Sequence, residues 1–171
     1  MAHPLPAPGR ARIVHPACRD FPVGAGDPYP RLVVKNRTFV MCKPDAVERG
    51  LIGEIVARLE RKGFSLVAAD LRTVDRALAE QHYDEHREKP FFGELVDFVT
   101  RSPVFPMVIE GPDEDTYLLV RKLVGATKVA DAEPGTIRGD FATITTENLV
   151  HASDGHESAA REIGLWFPGL T

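Results

Sequence analysis

Between Thr38 and Phe167 the hydrophobic pattern keeps switching between a strand-like and a helical period, and that switching restricts the folds open to the chain. Apolar runs of strand length lie at Thr38–Lys43, Phe64–Val74, Val104–Ile109 and Leu149–His151. After the first run, Leu51, Ile52, Ile55, Val56 and Leu59 recur at helical spacing, and Gly63 follows as a C-terminal stop. Asp75 can cap a second helix running through His86, and Phe91–Thr100 reads as a third. Asp113–Leu123, with Leu118, Leu119 and Leu123 inward, predicts a fourth, and Ser158–Phe167 a closing one. Residues 125–146 form a long connection punctuated by Gly and Pro. Inside a compact domain, loops of that length usually serve function.

This order of elements predicts an α+β fold, a ferredoxin-like βαββαβ antiparallel sheet with helices on one face, in a single domain. The 171 residues are one domain's worth of chain, with enough apolar content for a core. The domain is expected at residues 37–171. Residues 1–36 stand apart, holding seven of the fourteen prolines, Gly24 and Gly26, and little periodicity. Such a composition buries too little surface to offset its ordering entropy, so a disordered tail is expected. A transit peptide is the weaker reading, because the segment lacks serine and carries Asp20 and Asp27.

The formal net charge of −4 hides an asymmetry. The first 36 residues carry five basic and two acidic side chains, a net +3, which leaves −7 on the body. An acidic body argues against nucleic acid as a partner, and any polyphosphate ligand then needs the few cations gathered in one cleft. Cys18 and Cys42 make no disulfide framework, and Cys42 sits in an apolar strand pattern as a small hydrophobe. No apolar run is long enough to span a membrane and no signal-peptide core follows Met1. A cytoplasmic protein without membrane association is therefore expected.

No G-x-x-x-x-G-K-[ST] phosphate loop occurs, and Gly24-Ala25-Gly26 lies in the tail. Phosphate binding would have to use side-chain cations, and Lys43, Arg121 and Arg138 each flank a structured segment. Taken singly, each reads first as a solvated charge or a surface salt bridge. His151 ends a short apolar run and precedes Ala152-Ser153-Asp154, which places an imidazole at the mouth of a cleft. A neutral imidazole can attack phosphorus without a separate base. A lone histidine is more often structural, and an aromatic such as Phe91 or Phe92 in an apolar helix is more often core. His82 and His86 stand four apart on an expected helix, a zinc-compatible spacing. However, His82-Tyr83-Asp84-Glu85-His86 is not H-E-x-x-H and has no third ligand beside it, so a solvated helix face is expected instead.

Three stretches taken together change that weighting. They are Arg37-Thr38-Phe39-Val40-Met41-Cys42-Lys43-Pro44-Asp45-Ala46-Val47, Pro134-Gly135-Thr136-Ile137-Arg138-Gly139-Asp140-Phe141 and Asn148-Leu149-Val150-His151-Ala152-Ser153-Asp154. In that order and at about those spacings they resemble nucleoside diphosphate kinases, from about Arg37 to Phe167. The resemblance implies an enzyme that moves the γ-phosphate of a nucleoside triphosphate to a nucleoside diphosphate through a phosphohistidine on His151. It implies that Lys43, Arg121 and Arg138 hold phosphates, that Thr127 adds a hydroxyl, and that Asn148 reaches the ribose. Glu162 would orient the imidazole, with Ser153 beside it as a hydrogen-bond partner. Tyr83 would lie near the histidine, and Phe91 would stack on the base. A stacking surface accepts any base, because every base has a π-face. Mg²⁺ is implied as cofactor, held by nucleotide phosphates and water rather than by a protein cage. A homo-oligomer, tetramer or hexamer, is implied as well.

The pattern departs from the family at Ala46 and Ala152, where glycine is commoner, at Lys128-Val129 in place of an Asn/Asp-Pro pair, and in a longer stretch from Gly111 to Arg121. Alanine at 152 would carry a backbone cost if that position needed φ > 0. Ala46 is a familiar variant and neutral, whereas Ala152 and the altered Lys128-Val129 loop support a second reading, a weak or inactive relative that binds nucleotide or a protein partner as a regulatory module.

Overall fold

The computed structural model describes residues 13–14 and 36–170. Its strands are β1 (Ile13–Val14), β2 (Arg37–Cys42), β3 (Ser65–Ala69), β4 (Phe105–Glu110) and β5 (Val150–Ala152). They form one antiparallel sheet in the order β1-β3-β4-β2-β5. Without the two-residue edge strand this is the strand order of a βαββαβ ferredoxin-like sheet, as expected from the sequence. Val14 and Ile13 pair with Ala68 and Ala69. The rest of the tail expected at 1–36 lies outside the described residues, apart from Asn36.

Helices α1 (Pro44–Glu48), α2 (Ile52–Arg61), α3 (Arg76–His82), α4 (Phe92–Thr100), α5 (Thr116–Val124), α6 (Ile137–Phe141) and α7 (His156–Trp166) cover the sheet on both faces. The expected covering of one face is therefore corrected. Val40 and Cys42 of β2 pack with Ile55 and Leu59 of α2 and Val120 and Val124 of α5. Phe39 and Met41, pointing the other way, pack with Val96 and Val99 of α4 and Ile163 and Trp166 of α7. The signal was already present in β2, whose four consecutive apolar residues do not alternate with polar ones. A strand with that composition needs cover on both sides. Cys42 is fully buried, and burial pushes its thiol pKa up to about 12, so it behaves as an inert hydrophobe.

Local chemistry explains most element boundaries. In α2, Ile55 and Leu59 are buried one turn apart, while Glu54 and Arg58 pair at 2.9 Å across the solvent side. Asp75 accepts the Leu78 N–H at 2.8 Å as the cap of α3, and Thr136 accepts the Gly139 N–H at 3.0 Å as the cap of α6. Pro44 opens α1, where its missing N–H costs nothing. Two of these helices, α1 and α6, are absent from the sequence reading; at five residues each they are too short to show a helical period. The strand expected over Phe64–Val74 ends at Ala69. Beyond it, pairing thins to the Asp70 N–H donating to the Pro106 carbonyl at 3.1 Å and an isolated bridge between Arg72 and Val104, and Leu71 is exposed. A bulge between Leu66 and Ala68 turns Val67 and Ala68 toward the same face.

The helix expected from Asp75 through His86 stops at His82, and a 3₁₀ turn over Asp84–His86 follows. The solvated-face expectation for His82 is thereby corrected. His82 is 1% exposed, at the end of α3 against Phe39 and Trp166. His86 is on the 3₁₀ turn, stacked against Tyr83.

Candidate active site

Strand β5 is short because its task is placement: it sets His151 opposite Met41 of β2, with Val150 and Ala152 turned into the core. The residue before it, Leu149, is the one described non-glycine residue with positive φ, at 70°. A left-handed leucine costs about 1–3 kcal/mol and persists only where its surroundings hold it. Here the Leu149 N–H donates to Asp45 Oδ2 at 2.9 Å, and its carbonyl accepts the Lys43 N–H at 2.8 Å. These bonds tie the turn into β5 to the end of β2. Ala152 has no positive φ, so alanine in place of glycine carries no backbone strain at this position.

The His151 Nε2 lies 3.0 Å from Glu162 Oε1, and Ser153 Oγ donates to Glu162 Oε2 at 2.6 Å. Glu162 is 1% exposed on α7. Burial would raise its pKa, but the hydrogen bond and charge of His151 outweigh burial and leave it below the ordinary carboxylate value. An ionised carboxylate accepts only, so it assigns the imidazole proton to Nε2 and leaves the lone pair on Nδ1. Ser153 thus bonds to Glu162 rather than to His151, orienting the residue that orients the ring. Arg161 Nη2 stands 3.6 Å from the same carboxylate, a contact the sequence did not suggest.

Three cations converge on one cleft of about 610 Å³, lined by Lys43, Arg121, Arg138 and His151 among others. Arg138, on α6, is 6% exposed and donates to three backbone carbonyls, those of Gly125 (2.8 Å), Asn148 (3.2 Å) and Val150 (2.5 Å). Burial and the nearby Arg121 lower its pKa to about 10, which leaves it charged at neutral pH. Gly125 supports this arrangement through its own backbone. Its φ is +91°, and a Cβ there would meet Thr136 Oγ1 at 2.4 Å. Arg121, on α5, donates to the Ala152 carbonyl at 3.0 Å, which links the phosphate side of the cleft to β5. The longer stretch before it therefore does not displace Arg121 from the cleft.

Lys43 is 8% exposed and donates to Asn148 Oδ1 at 2.6 Å, and Asn148 Nδ2 donates to the Thr127 carbonyl at 2.8 Å. Both ends of the Asn148 amide are thus engaged, and the residue bridges Lys43 to Thr127. Burial lowers the Lys43 pKa to about 8 despite the opposing pull of Asp45. Phe91, which also lines the cleft, is 44% exposed, while Phe92 is partly buried against the core. Tyr83 is 7% exposed, lines the same cleft, and has its pKa raised by burial.

All ten residues singled out from the sequence thus lie in or directly behind one cleft. Asp45 and Arg161 were missed, and His82, weighed from the sequence only as a metal ligand or a solvated side chain, lies buried against His151 behind the cleft. Asp45 was quoted in a motif, but its hydrogen bond to Leu149 crosses 104 positions. No local signal announces such a contact.

The profile of the nucleoside diphosphate kinase family matches residues 36–170. A nucleoside diphosphate kinase from Brevibacillus brevis is 60% identical over 132 residues, 77% of this chain and 88% of the relative. One from Corynebacterium diphtheriae is 58% identical over 136 residues, 79% of this chain and 98% of the relative. Among solved structures, a halophilic nucleoside diphosphate kinase from Halobacterium salinarum in complex with CDP aligns with a TM-score of 0.73 at 53% identity. That alignment covers 77% of this chain and 86% of the other. A nucleoside diphosphate kinase family protein from Babesia bovis aligns with a TM-score of 0.75 at 48% identity, over 78% and 89% of the two chains. Sequence, fold and cleft agree with one another, and the chain belongs to the nucleoside diphosphate kinase family.

Proposed function

We propose that this chain transfers the γ-phosphate of a nucleoside triphosphate such as ATP to a nucleoside diphosphate by a ping-pong route through His151. The His151 Nε2–Glu162 contact of 3.0 Å, in a cleft lined by three cations, carries the reading. The Nδ1 lone pair attacks the γ-phosphorus, a N–P bond forms, and the bond to the β,γ-bridging oxygen breaks. That electron pair leaves with the diphosphate. The proton stays on Nε2, hydrogen-bonded to the Glu162 carboxylate throughout, so no separate base is required. A second nucleoside diphosphate then takes the phosphoryl group by the reverse step.

Most of the catalysis in such a transfer is positioning and neutralisation of charge. Arg121 and Arg138 face the phosphates, with Thr127 as a further donor, and Lys43 and Asn148 act as a pair at the ribose and phosphates. Mg²⁺, held by nucleotide phosphates and water, would supply charge neutralisation. The cleft fits that mode, because its cations suit phosphates and its ionised Asp154 suits a metal-bound water. Residues 37–171 form the catalytic domain. A homo-oligomer, tetramer or hexamer, in the cytoplasm completes the proposal.

The reading is tested by single-turnover labelling with γ-phosphate-labelled ATP and Mg²⁺, followed by a GDP chase. An acid-labile label on the protein that moves to GTP is expected. A protein that binds ATP and never takes the label would be a binding module instead.

Two further outcomes follow from the cleft. Phe91 offers a stacking face without base-specific donors, so GDP, ADP, CDP and dTDP should react within about tenfold of one another, ~1.4 kcal/mol in transition-state binding. A hundredfold preference for one base, measured as kcat/KM, would defeat the stacking account. Lys43 serves as a cationic donor, and its pKa of about 8 means that the free enzyme loses this charge above that pH. The value of kcat/KM for the diphosphate should then fall about tenfold per pH unit above pH 8. A profile flat to about pH 9.5 would remove the Lys43 ammonium from recognition.

A further inference from the structure

We propose that His82 is a positioning residue for His151, held by Trp166 in the tautomer that cannot accept the His151 proton. The inference rests on His151 as the nucleophile. Trp166 Nε1 lies 3.2 Å from His82 Nδ1. An indole N–H only donates, so Nδ1 must carry the lone pair and the neutral ring must carry its proton on Nε2. Burial, with the neighbouring His151, lowers the His82 pKa to about 3, so the ring is neutral at any physiological pH.

The protonated Nε2 is buried and has no hydrogen-bond partner among the described residues. An orphan donor of this kind is costly, and its place in the molecule is informative. The His82 ring meets the His151 ring edge to face, with centroids 4.6 Å apart and planes at 77°. A ring nitrogen from each histidine and a Glu162 oxygen all lie within 4.8 Å of one another. Phe39 packs on all three rings of the cluster, with centroids 5.8 Å from His82, 5.9 Å from His151 and 5.5 Å from Trp166. Arg161 donates to the His82 carbonyl at 3.3 Å and also faces Glu162.

The need for the lock follows from the transfer step. The His151 Nε2–H must have one acceptor, Glu162, so that Nδ1 keeps its lone pair toward the phosphate. An imidazole in the other tautomer would offer a second acceptor in the same small space and let the His151 ring turn toward it. Trp166 removes that alternative.

The test begins with the full-length wild type, by ¹⁵N NMR of its imidazole rings. A bare Nδ1 and a protonated Nε2 on His82 are expected, and the opposite tautomer overturns the proposal. Trp166→Phe then keeps ring bulk and removes the donor. Mixed His82 tautomers are expected, with single-turnover phosphorylation by ATP and Mg²⁺ slowed about tenfold and ADP affinity within about twofold. An unchanged rate once the tautomers have mixed also overturns it. If Trp166→Phe does not fold, His82→Phe, which removes both nitrogens at similar bulk and so offers His151 no second acceptor, should leave single-turnover phosphorylation within about twofold of wild type, and a rate slowed about tenfold there overturns the proposal. A wild type that never takes the label defeats the nucleophile reading, whereas the NMR result bears on the lock alone.

Discussion

His151→Gln is expected to lower turnover by at least about 10⁴-fold while leaving ADP affinity within about threefold, the scale of loss seen when a covalent nucleophile is removed. Glutamine occupies similar space and can still face Glu162, so the cleft and its cations should persist. It offers no nitrogen lone pair to phosphorus. The neighbouring hydroxyl cannot substitute, because Ser153 is 1% exposed and its Oγ is committed to Glu162 at 2.6 Å. Steady-state turnover with ATP and GDP, together with ADP binding by calorimetry, separates the two effects. Retention of more than about 1% of turnover would mean that phosphoryl transfer does not pass through His151.

Glu162→Gln should cost about 10²–10⁴-fold in turnover with little change in KM. In hydrolase triads, loss of the carboxylate that holds a histidine's tautomer costs about 10⁴. The mechanism here is the same in kind. The amide of glutamine can present an N–H to His151 Nε2, which moves the imidazole proton to Nδ1 and caps the atom that must attack. Ser153→Ala removes a single hydrogen bond to the far oxygen of Glu162 and should cost much less. The substitution also has a stability signature. The folded-state pKa of Glu162 lies below its ordinary value, so its contribution to stability is present above the unfolded pKa and is lost as pH falls through the folded one. Acid unfolding of Glu162→Gln should therefore be less steep in that window. A normal turnover number for Glu162→Gln would show that the contact at 3.0 Å does not set the tautomer.

The second reading drawn from the sequence, an inactive relative, rested on Ala152 and Lys128-Val129. The backbone at Ala152 is not left-handed, and Lys128 leads into an exposed 3₁₀ turn over Val129–Asp131. Neither change touches the His151–Glu162 contact or the three cations.

The elements legible in the sequence were those with a long period or a named cap. They include the four main strands, α2 with Ile55 and Leu59, α3 with Asp75, and α7 around Ile163 and Trp166. Five of the ten candidate site residues, Lys43, Arg138, Asn148, His151 and Ser153, stand in the three ordered motifs, and the roles of the other five came only through the family resemblance that those motifs carry. Two short helices, the second covered face of the sheet and the early end of β3 were not, since each depends on what packs from elsewhere in the chain.

The sequence by itself determined the α+β order of elements, the supply of cations for an otherwise acidic body, and the histidine that has to face them. Only the tertiary structure decided how that histidine is held. Asp45 restrains the left-handed Leu149, Arg138 bonds three carbonyls around the cleft, and Trp166 selects the His82 tautomer across 84 positions. Hydrophobic period and capping act over a few residues and can be read along the chain. A buried hydrogen bond takes its strength from the loss of water around both partners, and that condition exists only once distant segments have closed over it.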